Sequence, residues 1–209
     1  MPITNESNLN SVNIIGELNE DFSYSHETRG ISFYKSVVRA ERSSGTSDLI
    51  PITISSKLLP KEGFSKGDQV EIYGEFRSHN KAIGSTGRSK LILEVFVRKI
   101  AKSDYGIHFN QISLDGYICK DPEYRTTPFG RKICDILIAS NRGNGRSDYL
   151  PAITWGRNAE FTKNCLNIGN GVSITGRIQS REYQKVNSEG VPETRIAYEI
   201  SASEISFTQ

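Results

Sequence analysis

Apolar and polar residues alternate along several short stretches in the second half of this chain. Ile112, Leu114 and Ile118 keep step across Gly116, and Val172, Ile174 and Ile178 keep step across Gly176. A period of two marks a strand with one buried face, and a glycine within it permits a bend. The pattern predicts strands at Ile112–Ile118, Lys132–Ser140, Tyr149–Trp155 and Val172–Ile178. A fifth has Ile196, Tyr198 and Ile200 as its inward face. Turn residues at Asp121-Pro122 and Thr127-Pro128-Phe129-Gly130 separate the first strand from the second. Between the third and fourth strands the period changes. Gly156–Leu166 reads as a short amphipathic helix with Ala159, Phe161, Cys165 and Leu166 inward, stopped by Asn167-Ile168-Gly169-Asn170-Gly171.

The first half repeats this plan. Asp48-Leu49-Ile50-Pro51-Ile52-Thr53 returns as Asp148-Tyr149-Leu150-Pro151-Ala152-Ile153-Thr154. Gly16, Asp21 and Gly30 return as Gly116, Asp121 and Gly130 at an offset of 100, and Gly67 and Gly74 as Gly169 and Gly176 at 102. A constant offset followed by a small insertion marks a duplicated folding unit, too long for a solenoid repeat. The first copy has its fourth strand at Gln69–Arg77, its fifth at Lys90–Ile100, and a shorter helical region at Lys57–Phe64 interrupted by Pro60 and Gly63. Five strands with a helix between the third and fourth is the order of an OB-fold. The expected fold class is therefore all-β, with two tandem OB-fold, five-stranded Greek-key barrels, each with a short helix between strands 3 and 4. The expected boundaries are a flexible N-terminus at 1–9, a diverged barrel at 10–100, a linker at 101–110 and a second barrel at 111–209.

Composition narrows the function by exclusion. Three cysteines (Cys119, Cys134 and Cys165) all fall in the second half without a C-x-x-C spacing. An odd, sparse set points to reduced thiols rather than a disulfide framework or zinc site, and Cys165 reads as a buried structural thiol. His26, His79 and His108 are scattered, so no metal site is expected. Gly84-Ser85-Thr86-Gly87-Arg88-Ser89-Lys90 lacks the phosphate-loop spacing. No catalytic constellation, signal region or long apolar run is seen, so the chain is expected to be a soluble, cytoplasmic non-enzyme without cofactor. Residues 1–100 and 101–209 each carry 13 Lys/Arg and 12 Asp/Glu, a balance that decides nothing.

The second half resembles the bacterial single-stranded-DNA-binding protein (SSB) family along almost its whole length. The likeness is carried by Leu114-Asp115-Gly116 with Asp121-Pro122-Glu123-Tyr124-Arg125, by Tyr149-Leu150-Pro151-Ala152-Ile153-Thr154-Trp155-Gly156-Arg157, by Gly176-Arg177-Ile178-Gln179-Ser180-Arg181-Glu182-Tyr183, and by Glu199-Ile200. An isolated aromatic in a strand is commonly a packing group. The resemblance implies that Tyr149, Trp155 and Tyr183 stack on bases, and that Arg157, Arg181 and Arg125 make basic contacts, with Arg177 a weaker candidate. Flat rings and cations are what a single strand of unstacked bases and phosphates requires. Arg142 and Arg146 lie in the loop between the second and third strands, which can fold over a bound strand.

At the three stacking positions the first repeat has Leu49, Ser55 and Lys81, none offering a ring. Its Arg77, His79, Lys81, Arg88 and Lys90 could track phosphates along a polar, flexible hairpin at 78–88, which is equally a merely solvated loop. The implied function is sequence-nonspecific binding of single-stranded DNA in replication, recombination or repair. The implied assembly is a homodimer of four barrels. The resemblance implies a flexible tail with an acidic tip that recruits replication or repair proteins; this sequence stops at Ser206-Phe207-Thr208-Gln209, so that recruitment is expected to be absent or supplied by another protein. Two alternatives stay open: a primosomal or adaptor OB protein whose main partner is a protein, and an RNA-binding OB protein.

Overall fold

The computed structural model describes residues 9–60, 63–83, 88–186 and 190–208, apart from the side chains of 83 and 88. The flexible terminus expected at 1–9 therefore lies outside the described residues except for Leu9, as does the stretch 84–87.

The first unit comprises β1 (Asn10–Leu18), β2 (Ser23–Thr28), β3 (Ile31–Glu41), β4 (Ser47–Ser55), β5 (Gln69–Ile83) and β6 (Arg88–Lys102). The second comprises β7 (Phe109–Ile118), β8 (Glu123–Thr126), β9 (Lys132–Asn141), β10 (Ser147–Trp155), α1 (Arg157–Cys165), β11 (Gly171–Val186) and β12 (Pro192–Phe207). β1 with β2, and β7 with β8, each form one interrupted strand, which gives five per barrel. The third and fifth strands run parallel in both units, Ile52 beside Val95 and Ala152 beside Ile200. Short β1–β3 and β7–β9 pairings close each barrel.

The repeated glycines have a steric cause. A Cβ on Gly16 would lie 2.4 Å from Arg39 O, and one on Gly116 2.7 Å from Ala139 O. At these points the first strand bends to pair with two neighbours, and only glycine lets the backbones approach so closely.

The two barrels are not beads on a string. β1 pairs antiparallel with β7 from Asn10↔Leu114 to Ile15↔Phe109, joining both into one 12-stranded sheet. The segment expected as a linker, 101–110, is strand at both ends, with Ala101-Lys102 completing β6 and Phe109-Asn110 opening β7. One apolar cluster, from Val12 and Phe76 to Ile178 and Ile200, runs through both barrels.

Four local expectations are corrected. The described residues of 57–64 hold turns and no helix; Pro60 can neither donate to nor fit inside a helical turn. The described residues of the hairpin at 78–88 are strand: β5 and β6 stay in register out to Ile83↔Arg88, so both overrun their expected ends. In α1 the buried stripe is Ala159 and Thr162, continued by Leu166, with Phe161 half-buried. Cys165 lies one position off that stripe and is exposed, not buried. Finally, of the fifth-strand triplet Ile200 is buried in the core and Tyr198 packs half-buried against it, whereas Ile196 is exposed. β12 overruns the barrel, and there Ile196 and Tyr198 line a groove shared with the first unit.

Candidate nucleic-acid interface

Three surface features are assembled from these elements. The first is a groove of about 670 Å³ on the second barrel where it borders the first, lined by Trp155, Ser201 to Ser203, Gln179 and four arginines, Arg131, Arg177 and Arg181 of the second unit and Arg42 of the first. Trp155 ends β10 half-buried, its indole Nε1 donating to Ser201 Oγ at 3.1 Å. That bond anchors the ring's edge and holds its orientation. The cations are incompletely neutralised. Arg181 has only a loose pairing with Glu199 at 3.7 Å, and Arg131 has no ion pair among the described residues. Burial, then repulsion from Arg42, pushes the Arg177 guanidinium below its ordinary pKa, and its buried Nε has no hydrogen-bond partner.

The second is a groove of about 570 Å³ between the barrels. Lys35, Val37, Pro51, Lys90, Leu91 and Glu94 of the first unit face Tyr183, Lys185, Arg195, Ile196 and Tyr198 of the overrunning β11–β12 ribbon. Tyr183 is 37 % exposed here and does not share a groove with Trp155. Tyr149, 48 % exposed, sits on β10 opposite Ala139.

The third is a pair of matched clamps between the units. Asp48 is fully buried and accepts from Arg42 Nε at 2.7 Å, from its Nη2 at 2.5 Å, and from the backbone N–H of Ser180 at 2.8 Å. Leu49 N–H donates to Ser180 Oγ at 3.0 Å. One repeat later, Asp148 accepts from both Arg142 Nε (2.7 Å) and Nη2, and from Ser78 N–H at 2.6 Å, while Tyr149 N–H donates to Ser78 Oγ at 2.7 Å. The bonds that Arg42 donates to Asp48 raise its pKa. A buried carboxylate that accepts from a guanidinium and a backbone amide has its lone pairs satisfied, which offsets the cost of burying the charge. Arg42/Arg142 and Asp48/Asp148 obey the repeat offset of 100, and Ser78/Ser180 that of 102. Reading the repeat for buried acid–arginine pairs would have exposed them.

These placements sort the candidate residues. Arg142 is held on Asp148 and also donates to Ser78 O at 3.1 Å, in a tight turn closed by Arg142 N–H to Arg146 O at 2.7 Å. The loop expected to fold over a strand is thus a rigid hairpin turn, and Arg142 is not free to reach outward. Arg146 in the same turn is exposed. Arg77 is mostly buried, paired with Glu75 and 3.8 Å from Asp148; burial lowers its pKa to about 10. Arg125 is committed to Asp135 at 2.9 Å. Arg157 opens α1 exposed. Lys81 is exposed on β5 opposite Lys90. The side chain of Arg88 lies outside the described residues. Among the described residues no group of three or more His, Cys, Asp or Glu could hold a metal ion, and no helix is long and apolar enough to cross a membrane.

Known proteins share this architecture. The model of the single-strand binding protein family matches residues 109–208. The single-stranded DNA-binding protein of Clostridium tetani is 32 % identical over 106 residues, 48 % of this chain and 70 % of that protein. Single-stranded DNA-binding protein B of Bacillus subtilis is 37 % identical over 89 residues, 40 % of this chain and 77 % of that protein. The likeness to the solved wild-type single-stranded DNA binding protein of Thermus aquaticus spans both barrels. It has a TM-score of 0.76 at 19 % identity and covers 98 % of this chain and 95 % of that one, which fixes the fold as tandem OB barrels. With these relatives beside its own geometry, the chain belongs to the single-strand binding protein family.

Proposed function

We propose that this chain binds single-stranded DNA with little regard to base sequence, shielding strands exposed in replication, recombination or repair, and that it does no chemistry on them. The observation that carries this is the second-barrel groove, where a half-buried indole with a fixed edge sits among four arginines. Every base has a π-face, so a ring there takes any of the four, each stack contributing about 1–3 kcal/mol. Arg131 and Arg181 supply phosphate contacts and can themselves stack, while Arg42, held on Asp48, and half-buried Arg177 add positive charge to the groove. Tyr149, Tyr183, Arg157 and Arg146 are exposed around this barrel and extend the contact surface. Two barrels per chain give four in a closed twofold pair, so the active unit is a homodimer. Light scattering of the purified chain should give twice its monomer mass.

Trp155 is the only tryptophan, so its emission reports on the groove directly. Titration with oligothymidine should quench it strongly, and duplex of equal length should not. Added salt should reverse the quenching, log K falling by about 0.7 per phosphate neutralised for each unit of log salt. Emission indifferent to oligothymidine, or quenched equally by duplex, would overturn the assignment.

A further inference from the structure

The first barrel lacks the rings expected from its alignment with the second, yet an aromatic cluster occupies the same region. The repeat offset of 100 aligns Trp155 with Ser55 and Ile133 with Phe33, and the parallel ladders align Ser201, beside Ile153, with Phe96, beside Thr53. The structure confirms the correspondence: Phe33 pairs with Ser55 as Ile133 pairs with Trp155, and Phe96 and Ser201 both lie on the fifth strand. The indole at the end of the third strand has been replaced by two rings on the strands flanking it.

These rings are half-exposed and close together, Phe33 and Phe96 lying 5.9 Å apart between centroids. Each is overlaid by a flat, polar, solvent-exposed group. The His26 ring stacks on Phe33 at 4.9 Å with planes 10° apart, and the Arg98 guanidinium lies 4.9 Å above Phe96. Arg77 approaches Phe96 from 5.9 Å. One residue pair along the same outward face, Lys35 and Glu94 begin the inter-barrel groove that ends at Tyr183, Lys185 and Arg195.

We infer that this cluster is a second single-stranded DNA contact, in which His26 backed by Phe33 and Arg98 backed by Phe96 present stacking planes to successive bases. Imidazole rings and guanidinium planes both serve as platforms for unstacked bases. The apolar ring beneath each holds the plane in place before a base arrives, which lowers the ordering cost of binding. From here the strand runs along the groove, where Lys90 and Lys185 meet its phosphates, Lys35 and Arg195 do so by exchanging their ion pairs with Glu94 and Glu193, and Tyr183 offers a further ring. Tyr183 thereby serves the path across the first barrel although the second supplies it. This site rests on the reading of the chain as a single-strand binder and enlarges the surface assigned to it.

The test uses the full chain and oligothymidine carrying 5-iodouracil, cross-linked by light and mapped by mass spectrometry. It is joined to affinity measurements on the exposed pair His26→Ala/Arg98→Ala with a long oligothymidine. Adducts on His26, Phe33 or Phe96, and a loss of affinity of at least about tenfold in the variant, are expected. Adducts confined to the second barrel, with the variant binding as tightly as the native chain, would overturn the site. The two readings separate through Trp155: quenching that persists while first-barrel adducts are absent sinks only this inference, whereas a chain with neither quenching nor adducts sinks the single-strand reading itself.

Discussion

Replacing Asp148 with alanine removes the centre of one inter-barrel clamp, and the structure sets the scale of the loss. The carboxylate is 1 % exposed and receives three hydrogen bonds, two from Arg142 and one from Ser78 N–H. Without it the Ser78 amide is buried unpaired, a cost of about 1–3 kcal/mol. Arg142 loses its counter-ion with only 21 % of its side chain in water, and Arg77 loses a charge 3.8 Å away. Breaking a buried pair costs about 3–5 kcal/mol; the partial exposure of Arg142 and its remaining bond to Ser78 O place this case near ~3 kcal/mol. With a urea m-value of about 2 kcal/mol/M, the unfolding midpoint should fall by ~1.5 M, followed by circular dichroism. Asp148→Asn keeps an acceptor for Ser78 and should recover part of the loss. The control is Asp135→Ala, which breaks an exposed pair with Arg125 and should shift the midpoint by about 0.25 M or less. A midpoint for Asp148→Ala within about 0.5 M of the native chain would refute the view that the clamp holds the units together.

Three further outcomes are expected. Tyr183→Ala should weaken binding of oligothymidine by about tenfold, and more than Lys81→Ala, because a ring lost from a groove outweighs one exposed cation; equal losses in a filter-binding titration would reverse that ranking. Cys165 should react with a thiol reagent at once, whereas Cys134, fully buried with its pKa raised to about 11 chiefly by burial, should react only on unfolding. Because the folded chain holds the Cys134 proton more tightly than the unfolded one, this thiol's contribution is complete below the unfolded pKa and is lost as pH rises towards 11; thermal melts across that interval read it. Gly116→Ala would drive a Cβ within 2.5 Å of Ile138 Cγ2 and 2.7 Å of Ala139 O, so it should lower the melting temperature far more than Gly145→Ala, where the added Cβ meets nothing within 4 Å and only the positive φ of 74° is strained; equal shifts would deny the close approach.

The barrels were legible in the sequence because alternation, turn residues and a duplicated glycine pattern are local signals that fix strands one at a time. The closure of two barrels into one sheet was not, since the pairing of β1 with β7 joins residues about a hundred positions apart and uses backbone groups that any sequence supplies. The clamps lay half in view: Asp48 and Asp148 head the most visible repeated phrase, but their meaning depends on Ser180 and Ser78 of the opposite unit. Ile196 shows the limit of periodicity. Its alternation is genuine, yet β12 outruns its own barrel and the apolar face turns to the neighbour's groove. Phe33 and Phe96 escaped because position-by-position alignment asks whether a ring is retained, not whether it has moved to an adjoining strand. Ser55, opposite Phe33 in the ladder, was the clue.

The ladder order leaves β2 and β8 outermost, and among the described residues they are the shortest strands, six and four residues against nine or more elsewhere. Ladder ends are where long naked strand margins recruit one another when copies of a protein are held close together. Margins this brief give an incoming backbone too few partners to fuse sheet to sheet there. Neither end of the ladder can therefore seed pairing between copies.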